Sequence, residues 1–413
     1  MNSIPAKPNN AMSGSEQGAS QHSAAKFSNR WFILAILVLG RMSVAFQFQS
    51  VAAVGPLLIR ELAIDYAMLG LIIGLYMLPG AVIALPAGLF GQRYGDKRVA
   101  LLGLSLMVFG GLFMGLTADA TVFAASRIVS GVGAILFNVL LTKMVADWFA
   151  SRDTTVAMSF LLSGWPLGIG LALVILAPVG DAMGGALPML ITAIVGGLVL
   201  VLILVFYHSP LDAQKGTGTF RIGLSGREWT LCLLAGLVWS CLNVGFTLVL
   251  AFGPSFLAEL HYSLAEAGVI TSIAMWTMVP ALIFGGYVAE RVGKPDVLMT
   301  TCLVLSAVVV LGFASGSVPI LWCALLGVLL LPAGLIMKML VANLEAKNRA
   351  IGIGVFLSCY YGIMAVSPLI AGMLWEGTGS SAAPLWLASG MYLAAMLFLG
   401  AFRIAQDRLS RAI

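Results

Sequence analysis

The chain has 413 residues, of which 60% are hydrophobic and only 9% are charged, and its formal net charge is +5. A soluble core does not tolerate so little charge, and the mean hydropathy of +1.03 indicates a polytopic membrane protein. The basic balance is then a property of loops at a membrane surface and does not indicate nucleic-acid binding. All five cysteines, from Cys232 to Cys359, lie in apolar stretches and are predicted to be buried thiols rather than disulfides.

Taken in order, the chain begins with residues 1–29, which are rich in Ser, Ala, Asn and Gly and predict a disordered tail, not a signal peptide. Twelve apolar stretches follow, each long enough to cross a bilayer as a helix of about 20 residues. The predicted fold is an all-α membrane protein with two pseudo-symmetric six-helix bundles, 30–208 and 229–403, a linker at 209–228 and a tail at 404–413. The predicted spans are 31–58, 66–90, 99–117, 121–148, 154–178, 183–207, 229–257, 264–289, 296–315, 318–341, 351–375 and 383–403.

A basic, glycine-containing loop is predicted at Pro86–Val99, between the second and third spans, and its pattern returns in the second half. Gly55-Pro56 recurs at the same offset as Gly253-Pro254, so two separate motifs indicate one duplication. We predict that the paired loop residues take part in conformational gating. They are Gly88, Gln92, Arg93 and Gly95 in the first copy, and Gly286, Glu290, Arg291 and Gly293 in the second.

Basic residues occupy alternate connections between the predicted spans, whereas the opposite connections hold Arg60 alone. The positive-inside rule therefore predicts that both termini and the Pro86–Val99 loop are cytoplasmic, in a bacterial inner membrane. The residues on the basic side are Arg93, Lys97, Arg98, Arg152, Lys215, Arg221, Arg227, Arg291, Lys294, Lys347 and Arg349.

Two six-helix repeats, each with a basic glycine loop between its second and third helix, resemble the major facilitator superfamily over about residues 31–403. The family loop reads Gly-x-x-x-Asp-Arg-x-Gly-x-Arg/Lys, and the resemblance implies that its acid helps to lock the cytoplasmic side. Gln92 stands where the first acid belongs, while Glu290 keeps an acid in the second copy. The two halves are therefore expected to close the cytoplasmic face differently.

The fourth span carries Arg127-x-x-Ser130-Gly131-x-Gly133, which resembles the family pattern Arg-x-x-Gln-Gly-x-Gly. Arg127 lies about six residues, or roughly 9 Å, into this helix. Asn138 follows close to three turns later and therefore shares its face. In the fifth span, the sequence from Trp165 to Gly168 reads Trp-Pro-Leu-Gly and resembles permeases of the cyanate and nitroimidazole group.

Arg41 lies about ten residues into the first span, near the bilayer centre, where a charge costs about 2.5–3.5 kcal/mol. It must therefore face protein or water, and Gln49 flanks its helix face. One interpretation is a structural arginine satisfied by helix carbonyls, and the other is a substrate ligand. The equivalent residue in the second half is Trp239, so the charge is not duplicated, which favours the ligand.

No Asp, Glu or His lies deep inside a predicted span, so the predicted central cavity, faced by both Arg41 and Arg127, is positive. Arginine's planar fork suits a carboxylate or a similar anion. Aromatic and amide side chains complete the hypothesis, with Trp165 and Tyr360 at equivalent positions of the two halves. The predicted substrate-binding residues are Arg41, Gln49, Arg127, Asn138, Trp165, Trp239, Asn243, Trp276 and Tyr360.

The sequence therefore predicts a secondary transporter that moves a small anion by alternating access, with exchange or proton coupling. The alternative is efflux of a drug or amphipathic compound, which the 20 methionines favour but which leaves Arg41 unexplained. A membrane enzyme needs clustered His, Asp, Glu or Ser on facing helices, and the predicted spans lack such clusters. We predict no enzyme activity, no cofactor or metal, no nucleic-acid partner, and a monomer in the bilayer.

Overall fold

The computed structural model describes residues 14–150, 152–209, 223–331, 333–345 and 348–410. Within these ranges the chain is helical and contains no strand. The first half forms α1 (Gly14–Ala53), α2 (Gly55–Glu61), α3 (Tyr66–Leu75), α4 (Gly80–Tyr94), α5 (Asp96–Leu116), α6 (Ala120–Trp148), α7 (Thr154–Met183) and α8 (Ala186–Phe206). The second half forms α9 (Gly226–Glu259), α10 (Leu264–Val292), α11 (Pro295–Ala314), α12 (Pro319–Val328), α13 (Ala333–Ala342), α14 (Arg349–Thr378) and α15 (Ala383–Ser410).

Twelve segments of the described chain are long and apolar enough to cross a membrane, which confirms the predicted all-α fold. Two of the spans are each built from two helices, α3 with α4 and α12 with α13. The turn between α3 and α4 covers Tyr76–Pro79. Because Pro79 has no backbone N–H, it cannot donate the hydrogen bond that a continuous helix needs at this position, and the span breaks there.

At three places, the last of them the loop at Pro86–Val99, a described helix extends beyond the bounds expected from the sequence. The predicted disordered tail is helical from Gly14, and residues 1–13 lie outside the described part. The helical part of this segment contains no proline, and extending an existing helix adds one hydrogen bond per residue fixed. The linker ends early, because α9 begins at Gly226 with a capping box formed by Ser225 and Glu228, while residues 210–222 are not described.

The predicted loop at Pro86–Val99 is helix apart from one residue. α4 continues to Tyr94 and α5 starts at Asp96, so Gly95 alone makes the turn, with φ +92°. Gly293 has φ +65° and ends α10 in the second copy. Both glycines adopt a left-handed backbone that other residues rarely tolerate, which explains why the motif keeps a glycine at these two places.

The helices pack as two bundles, α1–α8 and α9–α15, which meet mainly along two helix pairs, α3 with α14 and α7 with α10. In the duplicated halves α3 corresponds to α10 and α7 to α14, so the two contacts are equivalent. We name the two ends of the molecule by residues: the Asp65 face, where α3 begins and α14 ends, and the Arg93 face, where α4 ends and α14 begins.

Candidate functional site

Arg41 of α1 lies half-buried among helices of the first bundle, within range of residues of the second. Its Nη1 donates a hydrogen bond to Oδ1 of Asn138 on α6, at 2.7 Å. Its guanidinium carbon lies 5.8 Å from the centre of the Trp165 ring on α7. The side chain passes against Gly164, where a Cβ would come within 3.2 Å of it. Asn138 and Trp165 therefore hold Arg41 from two neighbouring helices.

One edge of the Arg41 guanidinium has no partner among the described residues. Asn138 occupies Nη1, whereas Nε is shielded and makes no hydrogen bond. No described carboxylate forms an ion pair with Arg41. Nη2 makes no hydrogen bond with the described residues, so it can donate to an anion in this conformation. Because Nε–H and one Nη2–H of a guanidinium point in the same direction, they form a fork that matches the two oxygens of a carboxylate once the group that shields Nε moves aside.

Aromatic side chains of the second bundle complete the surroundings of Arg41. Tyr360 and Tyr361 of α14 lie within electrostatic range of its side chain, and their ring centres are 5.0 Å apart. The ring centre of Trp239 on α9 lies 6.4 Å from that of Tyr360 and 6.0 Å from that of Phe356. Arg41 thus sits where the two bundles face each other, with Trp165 on its own bundle and Tyr360 and Trp239 on the other.

Arg127 does not join this group, contrary to the expectation that both arginines face one cavity. It is fully buried in α6, with 0% of its surface exposed. Its Nη1 and Nη2 donate to the carbonyl oxygens of Gln47 and Phe48 in α1, at 2.8 Å and 2.5 Å, and it lies 4.4 Å above the Tyr76 ring. Arg127 is therefore a structural arginine whose terminal nitrogens are satisfied by helix carbonyls. This role was one of the two interpretations of Arg41.

Gln49 is also placed away from Arg41, at a contact between the two bundles. It is buried, and its Nε2 donates to the carbonyl oxygen of Leu250 in α9, at 2.9 Å. In a regular helix that carbonyl would accept from residue 254, but Pro254 has no N–H. Gln49 of the first bundle therefore satisfies an acceptor that a proline leaves open in the second.

Asn243 and Trp276 use their polar groups within their own helices. Nδ2 of Asn243 donates to the carbonyl oxygen of Trp239 one turn earlier, at 2.8 Å. Nε1 of Trp276 donates to Oγ of Ser272, at 3.2 Å, and its ring lies against Gly170 of α7. Asn243 borders the Arg41 group through Trp239, while Trp276 belongs to the α7–α10 contact.

Sequence reasoning missed Tyr361, which is 7% exposed and lies beside both Arg41 and Asn138. The adjacent Tyr360 was predicted from its position equivalent to Trp165. Consecutive residues of a helix point about 100° apart, so a sequence pattern that places Tyr360 does not place Tyr361. The pair of adjacent tyrosines in an apolar span was the available signal.

The predicted gating residues lie at the Arg93 face, and their role stays a prediction. Gly88 and Gly286 lie inside α4 and α10, whereas the side chain of Gln92 is not described. Arg93 stacks on the neighbouring Tyr94, with its guanidinium carbon 5.6 Å from the ring centre. Arg291 donates to the hydroxyl of Tyr287, at 2.7 Å.

The same face shows an asymmetry between the halves. In the first bundle Lys143 pairs with both Asp96 and Asp147. Its counterpart Lys338 pairs with no described acid and lines a cavity of about 640 Å³ that also includes Glu290. Ser159 and Ser163 of α7 form the other wall of this cavity, so it lies between the two bundles.

At the Asp65 face the bundles are in direct contact. The rings of Tyr66 and Trp375 stack with their centres 3.7 Å apart, and Glu376 accepts a hydrogen bond from the Tyr66 backbone N–H at 2.8 Å. A Cβ on Gly70 or Gly74 of α3 would come within 2.0 Å or 1.9 Å of a carbonyl oxygen of α14. The structure is therefore closed at the Asp65 face and leaves a cavity between the bundles at the Arg93 face.

The family model of the Major Facilitator Superfamily matches residues 37–253 and 229–412. The chain belongs to the major facilitator superfamily and is a multi-pass membrane transporter. Two solved transporters show the same fold. The nucleoside transporter NupG, solved as a single-residue mutant, has a TM-score of 0.74 and 14% identity, covering 90% of this chain and 98% of that one. A bacterial homologue of the human lysosomal transporter Spinster, solved in an inward-facing and occupied conformation, has a TM-score of 0.72, 17% identity and coverages of 93% and 97%.

Among relatives, the chain is 24% identical to the uncharacterized transporter YycB of Bacillus subtilis over 383 residues. This alignment covers 88% of this chain and 92% of YycB. It is 31% identical to the uncharacterized MFS-type transporter Rv1250 of Mycobacterium tuberculosis over 161 residues, an alignment that covers 39% of this chain and 26% of that protein. It is 24% identical to a gallate transporter of Pseudomonas putida over 144 residues, an alignment that covers 34% of this chain and 32% of that protein. The chain thus spans about a third or less of the last two relatives.

Proposed function

We propose that this transporter moves a small anion, which binds to the free edge of Arg41 between the two bundles. The observation that carries the proposal is a mid-membrane arginine that Asn138 anchors through Nη1 alone, whereas Arg127 uses both Nη1 and Nη2 on carbonyl oxygens. An unpaired charge at this depth is costly, so the site favours an anion that neutralises it. The gallate transporter among the relatives, whose substrate name denotes a carboxylate, supports an anionic substrate.

Alternating access follows from the contacts between the bundles. Because the α3–α14 contact closes the Asp65 face, we propose that a ligand at Arg41 enters and leaves through the cavity at the Arg93 face in this conformation. The positive-inside rule supports assigning the Arg93 face to the cytoplasm, which makes this conformation inward-facing. Reporter fusions after Arg98 and after Glu376 test the assignment, since only the first should report a cytoplasmic location.

The membrane potential determines what the transport cycle needs. Moving one negative charge inwards against a negative-inside potential costs about 2.3 kcal/mol per 100 mV. No described acid is paired with Arg41 to carry a proton, so coupling by exchange for another anion, or by a proton carried on the substrate, fits the site. We propose one of these two modes for import.

The test is counterflow in liposomes containing the purified protein. Small carboxylates should exchange with a labelled carboxylate inside the vesicles, whereas neutral amides and cationic amines of the same size should not. Transport of neutral or cationic amphipathic compounds only would contradict the proposal and would favour drug efflux instead.

A further inference from the structure

Among the described residues, the group around Arg41 contains one cation that is free to bind a ligand. Arg127, the other arginine of these central helices, already donates to two carbonyl oxygens of α1. Lys143 is paired with Asp96 and Asp147 near the Arg93 face. A dianion at Arg41 would therefore keep one charge without a partner in an apolar interior, which is strongly unfavourable. The charge balance of the group around Arg41 favours a ligand with a single negative charge, since the unpaired Lys338 lies at the Arg93 face, outside this group.

The walls of the same group are aromatic on both sides. Phe48 and Trp165 lie on the first bundle, with ring centres 5.6 Å apart, and Trp165 also borders the guanidinium of Arg41. On the second bundle Tyr360 links Trp239 to Tyr361 through ring centres 6.4 Å and 5.0 Å away. Trp165, Trp239 and Tyr360 are each only partly buried.

Aromatic walls distinguish between ligands of similar size. Ring pairs prefer tilted and edge-to-face arrangements because the ring face is negative and the ring edge is positive. The observed pairs already show such geometries, with interplanar angles of 33° to 59°. A planar aromatic ligand extends this set of contacts, whereas a saturated ring of equal volume does not.

We infer that the substrate is an aromatic monocarboxylate, a small planar ring that carries one carboxylate on Arg41 and lies among Trp165, Trp239 and Tyr360. The inference rests on the proposed function and adds two requirements to it, one charge and one aromatic ring. It assigns the second bundle a part in substrate selection, because two of the three rings come from α9 and α14.

The test is a competition panel against labelled benzoate, with the purified protein in liposomes and in direct binding. Cyclohexanecarboxylate keeps the charge and volume but lacks the aromatic ring, and it should bind about three- to tenfold more weakly. Phthalate adds a second charge and benzamide removes the charge, and both should bind at least about tenfold more weakly than benzoate. Acetate tests the carboxylate alone and should be the weakest of the monocarboxylates.

Variants separate the rings from general packing. Tyr360→Leu and Trp239→Leu should lower affinity for benzoate while leaving that for cyclohexanecarboxylate almost unchanged. Trp386→Leu is the matched control, because Trp386 is 52% exposed on the outside of α15. Two variants are used so that a folding failure in one does not remove the test.

The outcomes distinguish this inference from the proposed function. Equal affinity for benzoate and cyclohexanecarboxylate, or tightest binding of phthalate, would overturn the aromatic monocarboxylate and leave anion transport standing. Transport of acetate without binding of benzoate would do the same. Failure of every carboxylate in the panel, together with transport of the neutral amide, would overturn both.

Discussion

At the scale of single residues, two arginines of the first bundle differ in what their side chains contact. Arg127 donates hydrogen bonds from both terminal nitrogens to carbonyl oxygens of α1 and is completely buried. Arg41 donates one hydrogen bond, from Nη1 to the side-chain amide oxygen of Asn138, and remains partly accessible. The first arrangement joins α6 to α1, and the second leaves hydrogen-bond donors free for a ligand.

Arg127→Gln should therefore destabilise the protein rather than change its substrate affinity. The substitution removes two charge-assisted hydrogen bonds, which contribute about 1.5–3 kcal/mol each. We expect a clearly lower thermal unfolding temperature in detergent, with the dissociation constant of the folded fraction unchanged. Arg60→Gln is the control, since Arg60 is exposed at the Asp65 face and should leave both quantities unaltered. A loss of affinity without a loss of stability would instead place Arg127 in the binding site.

Asn138→Asp should weaken anion binding strongly although the two side chains have nearly the same shape. The new carboxylate would accept from Arg41 as Asn138 does, but it would also neutralise the guanidinium. We expect affinity for a transported anion to fall about a hundredfold or more, corresponding to roughly 2.8 kcal/mol. Isothermal titration of the folded variant measures this directly. Unchanged affinity would show that the anion binds elsewhere.

At the scale of the helices, the closed state depends on close contact between α3 and α14. A Cβ on Gly74 would lie 1.9 Å from the carbonyl oxygen of Ala365, so any larger residue forces the bundles apart at this face. Gly74→Ala should shift the population towards opening at the Asp65 face, seen as longer distances between spin labels at the ends of α3 and α14. Gly390→Ala in α15 is the matched control, because nothing lies within 4 Å of its Cβ position. Equal distance distributions in the two variants would contradict this account of the closed state.

A second helix contact, from Gln49 to the Leu250 carbonyl, should also favour the closed Asp65 face. Losing one such hydrogen bond costs about 0.5–1.5 kcal/mol, so Gln49→Leu should shift the closed-to-open ratio about two- to tenfold. Pro254→Ala restores the N–H that the Leu250 carbonyl lacks. In that background Gln49→Leu should have little further effect on the spin-label distances. The same shift in both backgrounds would mean that the Leu250 carbonyl is not the reason for the coupling.

At the scale of the whole molecule, the duplicated halves explain why much of the fold was predictable. Twelve apolar stretches, together with motifs repeated at one offset, were sufficient to predict the two bundles. A bilayer imposes helix length and apolarity on every span. The break at Pro79 and the helical continuation through residues 86–94 were not predicted. Apolarity marks where a span lies, but it does not show where its helix bends or how far it extends into water.

The site was predictable only in part, for a related reason. The cost of a charge in the membrane singled out Arg41, and the duplication singled out Trp239 and Tyr360. Which arginine is satisfied by carbonyls depends on helix packing, since Arg127 and its acceptors are 80 and 79 residues apart in the chain. The same holds for Gln49, whose partner in α9 becomes available only because Pro254 interrupts the hydrogen bonds there.

The measurement that tests the central claim most directly is anion binding and counterflow by folded Arg41→Gln and Arg41→Lys. Arg41→Gln removes the charge and the fork, so affinity should fall roughly ten- to a hundredfold. Arg41→Lys keeps the charge but cannot bind both carboxylate oxygens in one plane, and its affinity should fall between those of the parent and Arg41→Gln. If both variants bind and transport the anion as the parent does, Arg41 is not the substrate-binding residue and the account is wrong.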